Sequence, residues 1–233
     1  ILEHFQQLAS EGAAVLFITH DLELALSVAH RVVVFYAGET VEEAEASDFT
    51  RNRLRHPFTK ALWRAMPQQG FHSIPGAQPY PGDVWKGCPF VGQCPHPQSS
   101  CKKRRQGALS LSRRGGSAMT LEARDVTFAY KGKKRDPILE KVSLCLQSGE
   151  RVGLKAPSGR GKTTLCRILA GYERPQRGEV FLDGKPLQTY SGPCPVQMIW
   201  QHPETVVDPL LPLGTTLKEG ALPDSSLLSA LHI

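Results

Sequence analysis

The sequence predicts an α/β fold, and three observations predict it. Two short apolar runs near the start are separated by a stretch with helical periodicity; a later strand-like segment leads through a glycine-bearing loop into a helix; between them lies a tract where all periodicity dissolves. Strands and helices that alternate along a chain pack as helices against a mostly parallel sheet.

Leu2, Phe5 and Leu8 recur at helical spacing, and Gly12 closes the pattern. Residues 13–19 (AAVLFIT) are an unbroken apolar run, suited to a strand buried on both faces. Leu22, Ala25, Leu26 and Ala29 then mark one face of a helix whose exposed N–H groups either Thr19 or Asp21 is placed to cap. A second strand over Arg31 to Tyr36 is closed by Ala37-Gly38. From Pro67 to Gly116 the chain becomes rich in Pro, Gly, Ser and basic residues, which marks a boundary. A fresh domain begins near Met119, where Leu121 to Tyr130 alternates as a half-buried strand does. Arg151 to Lys155 is a further strand, a helix comes next with Leu165, Ile168 and Leu169 on one face, and Val196 to Trp200 reads as another strand. The expected division is 1–66, 67–118 and 119–233. Ile1 and Ile233 both fall inside helical patterns, so truncation at each end is expected.

Composition narrows the function classes. The chain has 233 residues, 40% of them hydrophobic, enough for a packed core. No run approaches the roughly 18 apolar residues of a membrane-spanning helix, and no secretory signal opens the chain. A cytosolic setting is therefore expected, with the six cysteines reduced. The net charge of +6 is concentrated in Lys102 to Arg105, Arg113-Arg114 and Lys131 to Arg135. Aromatic residues are not interleaved with these runs, so they read as a solvated linker or a patch facing lipid headgroups rather than a stacking platform for nucleic acid.

The sharpest chemical signal is Ala156-Pro157-Ser158-Gly159-Arg160-Gly161-Lys162-Thr163-Thr164 between a strand and a helix. Binding phosphate takes inward-turned backbone N–H groups, glycines where side chains would obstruct, and a helix N-terminus whose partial positive charge meets the anion. Ser158, Gly159, Arg160, Gly161, Lys162, Thr163 and Thr164 are the candidate nucleotide cradle. Lys162 would reach the outer phosphates as a point charge, and the Thr163 hydroxyl would ligate magnesium. The pattern G-x-x-x-x-G-K-[ST] departs at its first glycine, replaced by Ala156. A left-handed backbone there would cost roughly 1–2 kcal/mol.

Phe128-Ala129-Tyr130 precedes this loop, and Val196 to Trp200 leads into Gln201 after it. In that order the motifs resemble the ABC ATPases. The resemblance implies that Tyr130 stacks on adenine and that Gln201 touches the magnesium site and signals to membrane subunits. Ahead of the boundary, Phe17-Ile18-Thr19-His20-Asp21 is similar to the strand end that carries the switch histidine of that family. By that likeness His20 would contact the γ-phosphate and help hold the attacking water. Arg31 to Glu42 resembles the strand pair that comes after this histidine.

His56-Pro57-Phe58-Thr59-Lys60-Ala61-Leu62, then Gly87-Cys88-Pro89-Phe90, Cys94 and Cys101, resemble the C-terminal extension of the oligopeptide, dipeptide and nickel importer ATPases. The resemblance spans nearly the whole chain: one ATPase's end, then a partner's beginning. It implies an incomplete P-loop NTPase (ABC ATPase) fold, with an irregular cysteine-containing extension between two partial domains. It also implies that Cys88, Cys94 and Cys101 ligate an iron–sulfur cluster with a fourth cysteine, which does not occur soon after them. Zinc completed by His96 is one alternative, and three reduced thiols in a proline-braced loop is the other. Cys145, Cys166 and Cys194 read as packing residues.

The family also needs a Leu-Ser-Gly-Gly-Gln-type signature and an apolar strand ending in Asp-Glu, and neither occurs in this sequence. With the histidine before the boundary and the phosphate loop after it, His20 and Lys162 are expected in different sites. The resemblance implies an ATP-binding, energy-coupling component of an ABC importer for peptides or nickel. It would use ATP and Mg2+ and would not hydrolyse ATP by itself. Its partners would be membrane permease subunits, a second ATPase domain and, indirectly, a solute-binding protein, with no nucleic acid, and its place the cytoplasmic side of the membrane, peripherally. Two other classes compete: a soluble P-loop protein acting on nucleic acid through the basic linker, and a metal-binding regulatory module with a vestigial loop. Met119 leaves open whether the join is a natural fusion or two adjacent reading frames.

Overall fold

The computed structural model describes residues 2–74, 76, 87–103, 120–130, 137–155, 161–192, 194–200, 210–212 and 215. Residues 1–196 form one compact unit and residues 197–233 another. All strands among the described residues lie in the first unit, which is α/β as the sequence predicts.

The chain opens with helix α1 (Leu2–Ser10), and Gly12, at φ +101°, turns it into strand β1 (Val15–Thr19). Helix α2 (Leu22–Val28) is capped by Asp21, whose Oδ1 accepts from the Leu24 N–H at 3.1 Å. Thr19 supports the cap, its hydroxyl accepting from the Asp21 N–H at 2.9 Å. Strands β2 (Arg31–Tyr36) and β3 (Glu39–Glu45) form a hairpin closed by Ala37 and Gly38, both at positive φ. Such a turn matches the right-handed twist of the flanking strands.

Two helices come next. In α3 (Ala46–Thr50) the Asp48 carboxylate accepts from the Glu45 N–H at 3.1 Å. In α4 (Pro57–Arg64) proline occupies the first turn, and His56 Nδ1 accepts from the Phe58 N–H at 3.1 Å. The fully buried Glu42 carboxylate fixes the entry to α4, accepting from the backbone N–H groups of Arg55 at 2.7 Å and His56 at 2.9 Å. A short helix α5 (Ser99–Lys103) stands before the linker.

Beyond it run β4 (Thr120–Phe128), β5 (Leu139–Gln147), β6 (Arg151–Lys155), α6 (Lys162–Leu169), β7 (Arg177–Leu182) and β8 (Lys185–Pro186). They divide between two sheets. One is antiparallel, in the order β5-β4-β7-β8. The other has the order β1-β6-β2-β3, so β6 lies between two strands from the far side of the linker and is parallel to both.

Two apolar cores explain why β2 and β6 read as nearly continuous hydrophobic runs. Val33, Phe35, Val152 and Leu154 pack with Val126, Leu144, Leu146 and the inner face of α6. Val32, Val34 and Tyr36 point the other way, into a core with Leu22, Ala25 and Ala29 of α2 and with Phe49, Phe58 and Phe90. Phe90 ties the segment before α5 to this second core, its ring 5.5 Å from Tyr36 and 5.4 Å from Phe58.

One expected element does not form. Residues 197–200 are irregular, with Ile199 74% exposed. A short apolar run makes a strand only where a neighbour supplies a hydrogen-bonding ladder, and no described strand pairs with these residues.

Candidate nucleotide site

Strand β6 ends at Lys155, and helix α6 begins at Lys162. Gly161 makes that helix start possible. It sits at φ +81°, and a Cβ there would lie 2.8 Å from Leu139 Cδ2 and 2.9 Å from Ile138 Cγ2. Gly161, having no side chain, makes no side-chain cap to α6, and the N–H groups of a helix start are suited to an anion. A helix N-terminus of this kind favours an anion.

Lys162 occupies the first helical position, half-buried, with its ammonium pKa lowered by desolvation. Thr163 is exposed, which fits the role of a magnesium ligand. Thr164 is buried instead, its Oγ1 3.3 Å from the Tyr130 hydroxyl. Tyr130 stands at the end of β4, 44% exposed, its ring edge-on to Phe128 at 5.0 Å. An exposed ring held by a buried one offers a face on which a base can stack. Ala156, Ser158, Gly159, Arg160 and Gln201 lie outside the described residues.

The same sheet edge carries residues from before the linker. In the β1–β6 register Thr19 is opposite Lys155, and His20, exposed, is the next residue. The expectation of separate sites for His20 and Lys162 is thus at odds with the sheet, because β1 and β6 are adjacent and parallel. That expectation assumed that two stretches so far apart in sequence belong to two cores. Sequence analysis also passed over Lys155. Its pKa is lowered by burial and by Lys162 and raised by Asp21, so three charged groups from both sides of the linker share one field. A lysine at the carboxyl end of the strand that leads into the glycine-bearing loop was the available signal.

The cysteine cluster is less well formed. Cys88 N–H donates to the Cys101 carbonyl at 2.8 Å, and Cys88 Sγ lies 3.8 Å from His56 Nε2. Burial, first of all, pushes the Cys88 thiol above its ordinary pKa, with Cys101 and Cys94 adding to the rise. Among the described residues no group of three or more His, Cys, Asp or Glu side chains is arranged to hold a metal ion, and His96 is exposed. The described residues thus do not gather a ligand set for an iron–sulfur cluster or zinc. Cys166, with its thiol pushed up to about 12 by burial, and Cys194 behave as packing residues.

Two parts of the chain match known families. Residues 139–211 match the ABC transporter family, and residues 41–101 match the oligopeptide/dipeptide transporter C-terminal region. Among curated relatives, the oligopeptide transport ATP-binding protein OppD of Mycobacterium bovis is 27% identical over 89% of this chain and 42% of its own length. The glutathione import ATP-binding protein GsiA of Pectobacterium atrosepticum is 30% identical over 90% of the chain and 34% of its own length. A putative peptide import ATP-binding protein of Brucella melitensis is 35% identical over 50% of the chain and 38% of its own length. The chain thus spans less than half the length of the curated relatives it matches. A solved bacterial Atm1-family ABC exporter with ATP bound aligns with 30% of the chain and 12% of its own, at 30% identity and a TM-score of 0.28. The resemblance to the ATP-binding subunits of oligopeptide and dipeptide importers is borne out by these family matches and relatives. Among the described residues no helix is long and apolar enough to cross a membrane.

Proposed function

We propose that this chain, which carries segments of ABC transporter ATP-binding proteins on both sides of its linker, is part of the ATP-binding, energy-coupling component of an importer for peptides. The observation that carries the reading is the placement of Lys162 and Thr163 at the N-terminus of α6, after strand β6 and inside the stretch that matches the ABC transporter family. Residues 1–66 are read as the end of one ATP-binding domain, 67–118 as an extension and linker, and 119–233 as the beginning of another. ATP and Mg2+ are the cofactors this implies. Magnesium would be held by Thr163 and, in the site's full form, by Gln201; it would neutralise charge on the outer phosphates. Ser158, Gly159, Arg160 and Gly161 would offer loop amides, Lys162 its ammonium, and Tyr130 a face for adenine.

The relatives named above are called importers of oligopeptides, peptides or glutathione, which favours a small peptide over nickel as cargo. The partners would be membrane permease subunits and a second ATP-binding domain, with the chain peripheral on the cytoplasmic side. Hydrolysis by this chain alone is not expected, since the sequence contains neither the signature segment nor the Asp-Glu strand.

The test is Mg-ATP binding by calorimetry. The unmodified chain should bind, and Lys162→Ala should weaken binding roughly tenfold or more, the loss of a charge-assisted phosphate contact. Equal affinity in the two would end the reading.

A further inference from the structure

The sheet that leads to Tyr130 runs out before it reaches that residue. Strand β4 ends at Phe128. On one side the β4–β5 register closes with Phe128 opposite Leu139, and on the other the β4–β7 register closes with Thr127 opposite Arg177. Ala129, between the last rung and Tyr130, therefore has no partner among the described strands. A backbone N–H and C=O left unpaired at such a place would let the chain swing, and the ring after them with it.

An amide side chain supplies what the ladder does not. The Ala129 N–H donates to Gln176 Oε1 at 2.8 Å, and Gln176 Nε2 donates to the Ala129 carbonyl at 2.6 Å. A glutamine amide offers the same donor and acceptor as a peptide group, so the two bonds act as one further rung of sheet made from a side chain. They also fix which way round the amide lies, because the N–H needs an oxygen and the carbonyl needs an N–H. Gln176 is itself anchored, its backbone N–H donating to the Thr127 carbonyl at 3.0 Å.

A bulge brings it there. Between the pairs Arg124–Glu179 and Thr127–Arg177, β4 advances three residues and β7 two, so β4 carries an extra residue. Asp125 lies in that stretch at φ +48°, and Gly178, at φ +79°, packs so closely that a Cβ on it would run into the Arg124 carbonyl. Such bulges bend a strand and re-aim the side chains beside them.

Three contacts then hold Tyr130. Gln176 fixes the backbone one residue before it, Phe128 meets its ring edge-on at 5.0 Å, and Thr164 Oγ1 on α6 lies 3.3 Å from its hydroxyl. Phe128 and Thr164 are buried, whereas Gln176 is exposed and can be altered without opening the core.

We propose that Gln176 is the positioning residue of the base subsite: its side-chain amide pins the Ala129 backbone and thereby sets where the Tyr130 ring stands for a purine to stack on it. Gln176 touches no ligand itself. The inference rests on the reading of Tyr130 as the face for adenine, and it names a residue outside the phosphate loop on which that face depends.

The test compares two ligands on the whole chain by calorimetry: Mg-ATP, and Mg-tripolyphosphate, which has the phosphates and no base. Gln176→Glu keeps the size and one acceptor but sets a carboxylate oxygen against the Ala129 carbonyl, and Gln176→Ala removes both bonds. Each should weaken Mg-ATP roughly three- to tenfold, as loss of one or two hydrogen bonds does, and leave Mg-tripolyphosphate within about twofold. Tyr130→Ala should show the same split. The Tyr130→Ala, Gln176→Ala double variant should bind Mg-ATP no worse than Tyr130→Ala alone, because the glutamine acts through the ring. Equal weakening of both ligands would make Gln176 a residue of general stability, additive losses would give it a role apart from Tyr130, and unchanged Mg-ATP affinity would give it none; each overturns the proposal. The reading beneath it fails in a different pattern. If Lys162→Ala leaves both affinities as they were, or the unmodified chain binds neither ligand, the nucleotide site itself is removed, and the part of Gln176 with it.

Discussion

The two sheets of this molecule are assembled in opposite ways. The antiparallel sheet β5-β4-β7-β8 comes wholly from residues 120–186. The sheet β1-β6-β2-β3 takes one strand from that stretch and three from residues 15–45. The first has alternating strands, as in β5, where every second residue is more exposed; the second has β2, buried along nearly its whole length. Antiparallel neighbours can pair locally and leave one face wet, whereas a parallel strand must be covered on both faces by elements distant in sequence. The lesson is that β6, the strand leading into the phosphate loop, has its fold decided by residues more than a hundred positions away.

The strongest way to break this contrast is to remove residues 1–66. Strand β6 then loses both ladder neighbours, and α2 no longer covers Gly153. The expected result is loss of Mg-ATP binding and of a cooperative thermal transition at the β6–α6 junction. A remaining fragment that melts cooperatively and binds nucleotide as before would show the sheets to be independent.

A milder probe is Gly153→Leu. The new side chain must enter a space where a bare Cβ already sits 3.3 Å from Ala25 and Ala29. Overpacking of this sort costs about 1–3 kcal/mol, and urea denaturation should show it as a lower midpoint with an unchanged slope. The same substitution at Gly184, in the β7–β8 turn where nothing lies within 4 Å of the added Cβ, separates crowding from the cost of its positive φ.

The same contrast decides how much was legible in the sequence. Arg31–Tyr36 and Arg151–Lys155 were readable to the residue, because each is a short apolar stretch bounded by charged residues or a turn. The α6 start was readable from Gly161 and Lys162, since the chemistry of phosphate binding is local. Which strands pair was not. Nothing local in Gly153 says that α2 will lie over it, and nothing in Arg31 names Glu150. Periodicity describes one element at a time, and distant pairing is specified only by surfaces that exist after folding. The strand expected over Val196 to Trp200 did not form for the converse reason: it has apolar residues but belongs to neither of the two sheets.

The smallest expected effect is pH dependence. Burial holds His56 below its ordinary value of 6.5, against the pull of Glu42, and burial likewise lowers His30, helped by Arg151. Their Nδ1 atoms accept from the backbone N–H groups of Phe58 and Arg151, which an imidazolium cannot do. With the folded pKa below the unfolded one, the unfolded chain takes up protons first as pH falls. The stability these groups allow is therefore full above about pH 6.5 and is lost as pH drops toward their folded values. The thermal midpoint should decline from about pH 7 to about pH 5.5, and His56→Asn should flatten part of that decline.

Hydrogen exchange on the intact chain, with and without Mg-ATP, tests the central claim most directly. The account predicts that nucleotide slows exchange together at the carboxyl end of β1, around Thr19 to Asp21, and at the start of α6. Protection at α6 alone, with β1 exchanging as fast as before, would contradict the side-by-side placement of the β1 and β6 ends.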